Sequence, residues 1–266
     1  MITKNEIRRI RSLHNRKGRD EEQHFIAEGP KIAAELLSSG WPVEKVFALE
    51  SWIRANPALM RIVNCPVDAI NGNELGRISA HPTPNQVLVV AKTFPRHPEI
   101  EKPEGINLIL DSISDPGNLG TIVRIADWFG VGQIFCSEDT VDIYNPKVIQ
   151  SSMSSFLRVR VHYCSLLELL SKFRDEIPVY GATIGGQNLY ETEKCPDLFL
   201  LIGNESRGIS PGLKPLIHYN IKIPSYPHAG GQSGAESLNA AIATSVVLAE
   251  FRRESDQSSL GDKSSA

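Results

Sequence analysis

Two segments of this 266-residue chain are apolar almost without interruption: INLIL at 106–110, closed by Asp111, and LFLLI at 198–202, closed by Gly203. A strand with one wet face alternates polar and apolar residues, whereas a continuous apolar run of this length suits a strand covered by helices on both faces. Four weaker strand candidates accompany them: QIFCS, RVRVHY, VYGAT and YNIKIP. Between them lie helical stretches, NLGTIVRIADWFG, NPKVIQSSMSS, SLLELLSKFRDE and ESLNAAIATSVVLAEFRRE. Strands alternating with helices predict an α/β domain built on a mostly parallel sheet.

A smaller α/β pattern precedes it. Gly29-Pro30 opens the helix KIAAELLS, which Gly40 stops, and VEKVFAL and QVLVVAK read as strands. Residues 93–105 hold Pro95, Pro98 and Pro103 among charges with no apolar period, the pattern of a linker. The expected organisation is a basic arm at 1–20, a small α/β domain at 21–92, the linker, a second domain at 106–253, and a disordered tail at 254–266 that is poor in apolar residues.

The arm concentrates charge. Within residues 1–19, Lys4, Arg8, Arg9, Arg11, Arg16, Lys17 and Arg19 stand against only Glu6, in a chain whose formal net charge is −3. Ile7, Ile10 and Leu13 give it a short amphipathic period. It reads as a phosphate-contacting arm, as the solvated face of a helix, or as a transit peptide.

Other classes lose support. No run approaches the ~18 apolar residues of a membrane helix, and Met1 is not followed by a secretory apolar segment. Cys65, Cys136, Cys164 and Cys195 are too widely spaced for a zinc ribbon or a disulfide framework, so reduced thiols in a cytoplasmic protein are expected. Phosphate-loop, dinucleotide-binding, zinc-hydrolase and nucleophile-elbow motifs are missing, and no metal is expected.

What remains is polar chemistry at three strand ends, where open α/β sheets bind ligands. The first is LDSISDPGNLGTIVRIADWFG, in which Asn118 is a candidate N-cap. Ile122, Ile125, Ala126 and Phe129 form the expected core face of the helix, leaving Arg124 pointing away, either paired with Asp127 or contacting phosphate or ribose. The second is LFLLIGNESRGIS, delivering Asn204, Glu205, Ser206 and Arg207. The third is IKIPSYPHAGGQSGAESLNAAIATSVVLAEF, a Gly-rich loop before a helix whose Ala240, Ala241, Ala243 and Thr244 permit close packing.

Together these segments resemble, in order, the three motifs of SpoU/TrmH-type RNA ribose methyltransferases of the SPOUT superfamily, over roughly residues 105–252. The N-terminal KGRDEEQHFIAEGPKIAAELL resembles the small substrate-binding domain that precedes many members. The resemblance implies methyl transfer from S-adenosylmethionine to a ribose 2′-hydroxyl in RNA, in rRNA more than tRNA, by a homodimer with a deep trefoil knot. By position, Asn118, Arg124, Glu205, Ser237 and Asn239 match the catalytic set, and Gly203, Ile223 and Leu238 match residues that hold the cofactor. Thr183 and Gly185, read as ending the preceding strand, are further candidates for that pocket.

The residue types suit the chemistry. A ribose hydroxyl is a poor nucleophile that must be oriented and partly deprotonated during attack. Arg124 stays protonated, so its expected part is to orient the hydroxyl and the adjacent phosphate. Asn118 and Asn239 hold polar groups, and Glu205 positions Arg124 or a loop of the second protomer. One departure stands out: fourteen positions separate Ile223 from Ser237, and the loop 225–236 either folds over the cofactor or reshapes its pocket. A non-catalytic RNA-binding protein, a ribosome-assembly factor and a base methyltransferase are the alternatives.

Overall fold

The computed structural model describes residues 2–94, 102–226 and 235–261, with side chains described to residue 253. It divides into two compact units, Met1–Pro95 with Asp142–Arg158, and Arg96–Val141 with Val159–Ala266.

The first unit runs α1 (Lys4–Ser12), α2 (Arg16–Glu22), β1 (His24–Glu28), α3 (Pro30–Ser38), β2 (Val43–Leu49), α4 (Glu50–Ala55), α5 (Pro57–Ile62), β3 (Val67–Ile70), α6 (Gly72–Ile78) and β4 (Val87–Lys92). Its sheet has the order β1-β4-β2-β3, antiparallel except for the β2–β3 pair. The basic segment is not a separate arm. Thr3 and Glu6 form a reciprocal capping box at the start of α1. Ile7, Ile10 and Leu13 then pack with Ile26, Phe47, Leu75, Leu88 and Val90 in one core.

The charges of that segment divide accordingly. Arg9 makes a bidentate bond to Glu44 and a further one to Glu22, while Lys4, Arg8, Arg11 and Lys17 remain exposed. Arg19 is 2% exposed. Its Nε lies 2.7 Å and its Nη2 2.6 Å from Asp142 Oδ2, and its Nη1 donates to the Leu13 and His14 carbonyls. A buried charge requires such pairing.

The second unit begins with β5 (Ile106–Leu110), α7 (Pro116–Trp128) and β6 (Gln133–Cys136). The chain then returns to the first unit for α8 (Pro146–Ser152). The sequence division assigns 142–158 to the second domain, and the structure corrects it. The Arg19–Asp142 pair and the rings of Tyr144 and Phe156, 4.8 and 5.8 Å from Phe25, hold this segment among first-unit residues. Sequence order alone carries no sign of that return.

The remaining elements are β7 (Arg160–Tyr163), α9 (Leu166–Lys172), β8 (Val179–Asn188), β9 (Leu198–Ile202), β10 (Tyr219–Lys222) and α10 (Ala240–Gly261). They complete a six-stranded sheet of order β10-β8-β9-β5-β6-β7, every neighbouring pair parallel. Ile109, Phe135, Phe199 and Leu201 of one face pack with Leu166, Leu169 and Leu170 of α9, while Leu108, Leu110, Leu200 and Ile202 of the other face are also buried. This double burial is what the uninterrupted apolar runs require. Helix α10 continues to Gly261, past the expected start of the tail, because extending a packed helix is far easier than starting one. The tail beyond 261, the linker at 95–101 and the loop at 227–234 lie outside the described residues.

Candidate active site

The chain runs outward from β5 through β6 to β7, then reappears on the other side of β5 as β8, β9 and β10. A parallel sheet whose order reverses in this way forms its ligand crevice at the carboxyl ends of the strands. The candidate residues gather at those ends.

Helix α7 starts earlier than its sequence suggests. Asp115 is the N-cap, its carboxylate accepting the Asn118 amide at 2.8 Å, and Pro116 occupies the first turn. Pro is favoured there because its missing N–H is unneeded. Asn118 is therefore the third helical residue, and its side chain is free for other partners. Leu119, Ile122, Val123 and Ala126 are buried, while Ile125 and Phe129 are only half-buried, so the core face is rotated from the expected one. Arg124 stands on the exposed side as expected. Among the described residues it takes no partner, neither Asp127 nor Glu205.

A tight loop follows β9. Asn204 and Gly208 exchange both backbone hydrogen bonds, at 3.1 and 2.9 Å, and Gly208 adopts φ +67°. A Cβ on Gly203 would lie 2.4 Å from the Gly208 carbonyl carbon, so only glycine fits there. The Asn204 side chain fills the loop, its Oδ1 accepting from the Ser206 and Arg207 amides and its Nδ2 donating to the Ser112 carbonyl at 2.8 Å. Glu205 is thereby presented at the tip.

Three of the five catalytic candidates form one hydrogen-bonded line. Asn239 caps α10, its Oδ1 accepting from the Ala241 and Ile242 amides. Its Nδ2 must then donate, and it does so to Asn118 Oδ1 at 2.9 Å. With that oxygen occupied, Asn118 Nδ2 donates to Glu205 Oε1 at 2.6 Å. Each amide has its orientation fixed by the bond before it, and the line ends on a carboxylate. Ser237 is exposed and lies outside this set.

The cofactor candidates sit along the same strand ends, with one correction. Thr183 and Gly185 do not end a strand, since β8 continues to Asn188. Its pairing with β9 runs to Gly181↔Leu201, and its pairing with β10 skips from Gly181↔Asn220 to Gln187↔Ile221. Residues 182–186 therefore stand outside the ladder. They present backbone groups, the half-buried Thr183, the exposed Ile184 and Gly185, around whose Cβ position lies open space. Ile223 follows β10 half-buried, and Leu238 is half exposed beside Asn239. Backbone donors and acceptors among apolar side chains and an open glycine suit an adenosyl group, so these residues fit S-adenosylmethionine.

Sequence reasoning passed over the residues beneath this site. Asp111 accepts the Ser210 amide at 2.6 Å and its hydroxyl at 3.0 Å. Ser112, at φ +60°, donates its hydroxyl to Asp139 at 2.7 Å, and the Ser137 hydroxyl, with that of Ser112, holds the Asp139 carboxyl below its ordinary value. A polar residue directly after an apolar strand was the available signal. Among the described residues no group of His, Cys, Asp and Glu could hold a metal.

A six-stranded parallel sheet with polar loops at its carboxyl edge, joined to a small α/β unit, defines an α/β protein with a ligand crevice at that edge. Residues 105–249 match the SpoU rRNA methylase family and residues 4–89 the MRM3-like substrate binding domain, and the chain belongs to the SpoU rRNA methylase family. It is 27% identical to the 23S rRNA (guanosine(2553)-2′-O)-methyltransferase RlmP of Bacillus subtilis, over 91% of this chain and 94% of that one. The SpoU methyltransferase AviRb of Streptomyces viridochromogenes, solved with AdoMet, superposes with TM-score 0.81 at 25% identity over 95% of this chain and 98% of that one. An AdoMet-bound rRNA methyltransferase from Sinorhizobium meliloti gives 0.81 at 26%, over 96% of each chain.

Proposed function

We propose that this protein transfers a methyl group from S-adenosylmethionine to a ribose 2′-hydroxyl of ribosomal RNA. The observation that carries the reading is the Asn239–Asn118–Glu205 line at the carboxyl edge of the sheet, with the exposed Arg124 on the same helix as Asn118. Two relatives matched over 91% of this chain are named 23S rRNA 2′-O-methyltransferases, which supports rRNA over tRNA.

When bound, S-adenosylmethionine supplies an electrophilic methyl; Gly203, Ile223, Leu238, Thr183 and Gly185 are the residues assigned to hold it. Arg124, a permanent cation, orients the 2′-hydroxyl through the neighbouring phosphate and stabilises the oxygen as it passes its proton to that phosphate. Asn118 and Asn239 fix the start of α7 against the start of α10, and Glu205 is the fixed end of that line. Holding the hydroxyl in line for attack supplies much of the acceleration. Ser237, exposed beside Asn239, is assigned to the substrate side.

The same reading includes a homodimer, with a trefoil knot formed by the chain around β9 and β10. Trp128 of α7 is 85% exposed and Ile242 of α10 53% exposed, on two helices that pack together, and a second protomer would cover them. The site of action is cytoplasmic; among the described residues no helix is long and apolar enough to cross a membrane. The direct test is mapping of 2′-O-methylated riboses in rRNA from cells with and without the gene. One modification lost on deletion and restored by the intact gene is expected. An unchanged rRNA map would contradict the reading.

A further inference from the structure

The loop that carries Glu205 has two anchors, and both lie on the segment that leads into α7. At its start, Asn204 Nδ2 donates to the Ser112 carbonyl at 2.8 Å. At its end, Asp111 receives the Ser210 amide at 2.6 Å on one oxygen and the Ser210 hydroxyl at 3.0 Å on the other. Asp111 is 3% exposed and closes β5, whose backbone continues the ladder by donating to the Ile202 carbonyl. Ser112 is pinned in turn: its amide donates to the Ser137 hydroxyl, its hydroxyl donates to Asp139, and it holds φ +60°, a conformation unfavourable for a residue with a Cβ. Three residues further on, Asp115 caps α7 and sets the position of Asn118.

We propose that Asp111 is a positioning residue for methyl transfer, setting the Asn118–Glu205 separation by clamping Ser210. The inference rests on the reading of this edge as the methyltransferase site. A buried carboxylate here is an expensive way to hold a loop unless it is hydrogen-bonded, and each of its oxygens accepts a bond from Ser210. Without it, the loop keeps the Asn204 anchor but loses its hold at Ser210, so the Asn118–Glu205 bond is no longer supported from that end. Displacement of a site group by about 1 Å costs on the order of 100-fold in rate. Asparagine could keep both bonds by accepting the Ser210 amide with its oxygen and donating to the Ser210 hydroxyl, whereas alanine keeps neither.

The test compares Asp111→Ala, Asp111→Asn and Ser210→Ala in the full-length protein. Two readouts are taken: amide hydrogen exchange of residues 204–210, and kcat and KM for methyl transfer to rRNA. Expected for Asp111→Ala are faster exchange confined to that loop, kcat lower by about 10- to 100-fold and KM for rRNA unchanged within about twofold. Asp111→Asn should restore most of both, and Ser210→Ala should fall between them, which keeps the test open should Asp111→Ala not fold. Unchanged loop exchange, a loosened loop with normal kcat, or a fall in KM and kcat equal for all three variants would overturn the proposal. A wild-type protein that transfers no methyl group would instead overturn the methyltransferase reading, and the clamp would then be decided by the exchange data alone.

Discussion

Asn118 Nδ2 and Glu205 Oε1 lie 2.6 Å apart, joining the first turn of α7 to the loop after β9 across 87 positions in sequence. The bond is charge-assisted and its direction is imposed, because Asn239 already occupies the Asn118 oxygen. This makes the pair sensitive to substitutions that look conservative. Asn118→Asp would set two carboxylates against each other. It should lower methyl-transfer kcat by about 100-fold or more, from loss of a charge-assisted bond and like-charge repulsion. Glu205→Gln should cost less, since it retains the acceptor. Steady-state kinetics on rRNA check the order, and equal losses would contradict the imposed direction of the bond.

The exposed cations of the N-terminal segment predict a salt effect. Replacing Lys4, Arg8 and Arg11 with glutamine leaves the α1 core and the Arg9 and Arg19 pairs intact. If all three contact phosphate, the slope of log K against log salt for rRNA binding should fall by about 2 to 3. An unchanged slope would return these side chains to a purely solvated role.

Glu250 predicts an acid limit to stability. Hydrogen bonding from Arg253 and then from Lys194, against the opposing effect of burial, holds its carboxyl down from 4.5 to about 2. A depressed folded value means the stabilisation is complete above the unfolded value and is lost as pH falls from about 4.5 toward 2. Its full size is up to about 3 kcal/mol. Urea unfolding should show Glu250→Gln much less stable than wild type at pH 6 and the gap reduced by about half at pH 3. A gap equal at both values would contradict the assignment.

The left-handed Ser154 predicts a stabilising change. It sits at φ 73°, ψ −1° with a buried hydroxyl that has no hydrogen-bond partner among the described residues. Glycine removes both penalties at some cost in chain entropy, so Ser154→Gly should gain about 1 kcal/mol and raise Tm by a few degrees. A lower Tm would contradict this.

The architecture was legible because the runs at 106–110 and 198–202 state that both faces of their strands are covered. The order of polar loops at three strand ends was legible too, as was the outward direction of Arg124. Other features depend on partners that no local pattern reveals. Arg19 reads as one more cation of a basic arm until Asp142 is placed beside it. Asn118 reads as a helix cap because the Asp115-Pro116 start that displaces it lies only three residues upstream. Thr183 and Gly185 read as a strand end because the excursion at 182–186 breaks the pairing without ending the strand. Asp111 had the signal of a carboxylate closing an apolar strand, but its partner Ser210 lies 99 positions away.

The central claim is that the exposed Arg124, on the helix fixed by Asn118, acts on the RNA hydroxyl and not on the cofactor. It is tested most directly by measuring S-adenosylmethionine affinity by titration calorimetry, and single-turnover methyl transfer to rRNA, for wild type and Arg124→Ala. The account predicts cofactor affinity within about twofold of wild type and transfer slower by about 1000-fold, a loss of the size of one preorganised charge contact. Near-normal transfer by Arg124→Ala, or a loss of cofactor affinity equal to the loss of rate, would contradict it.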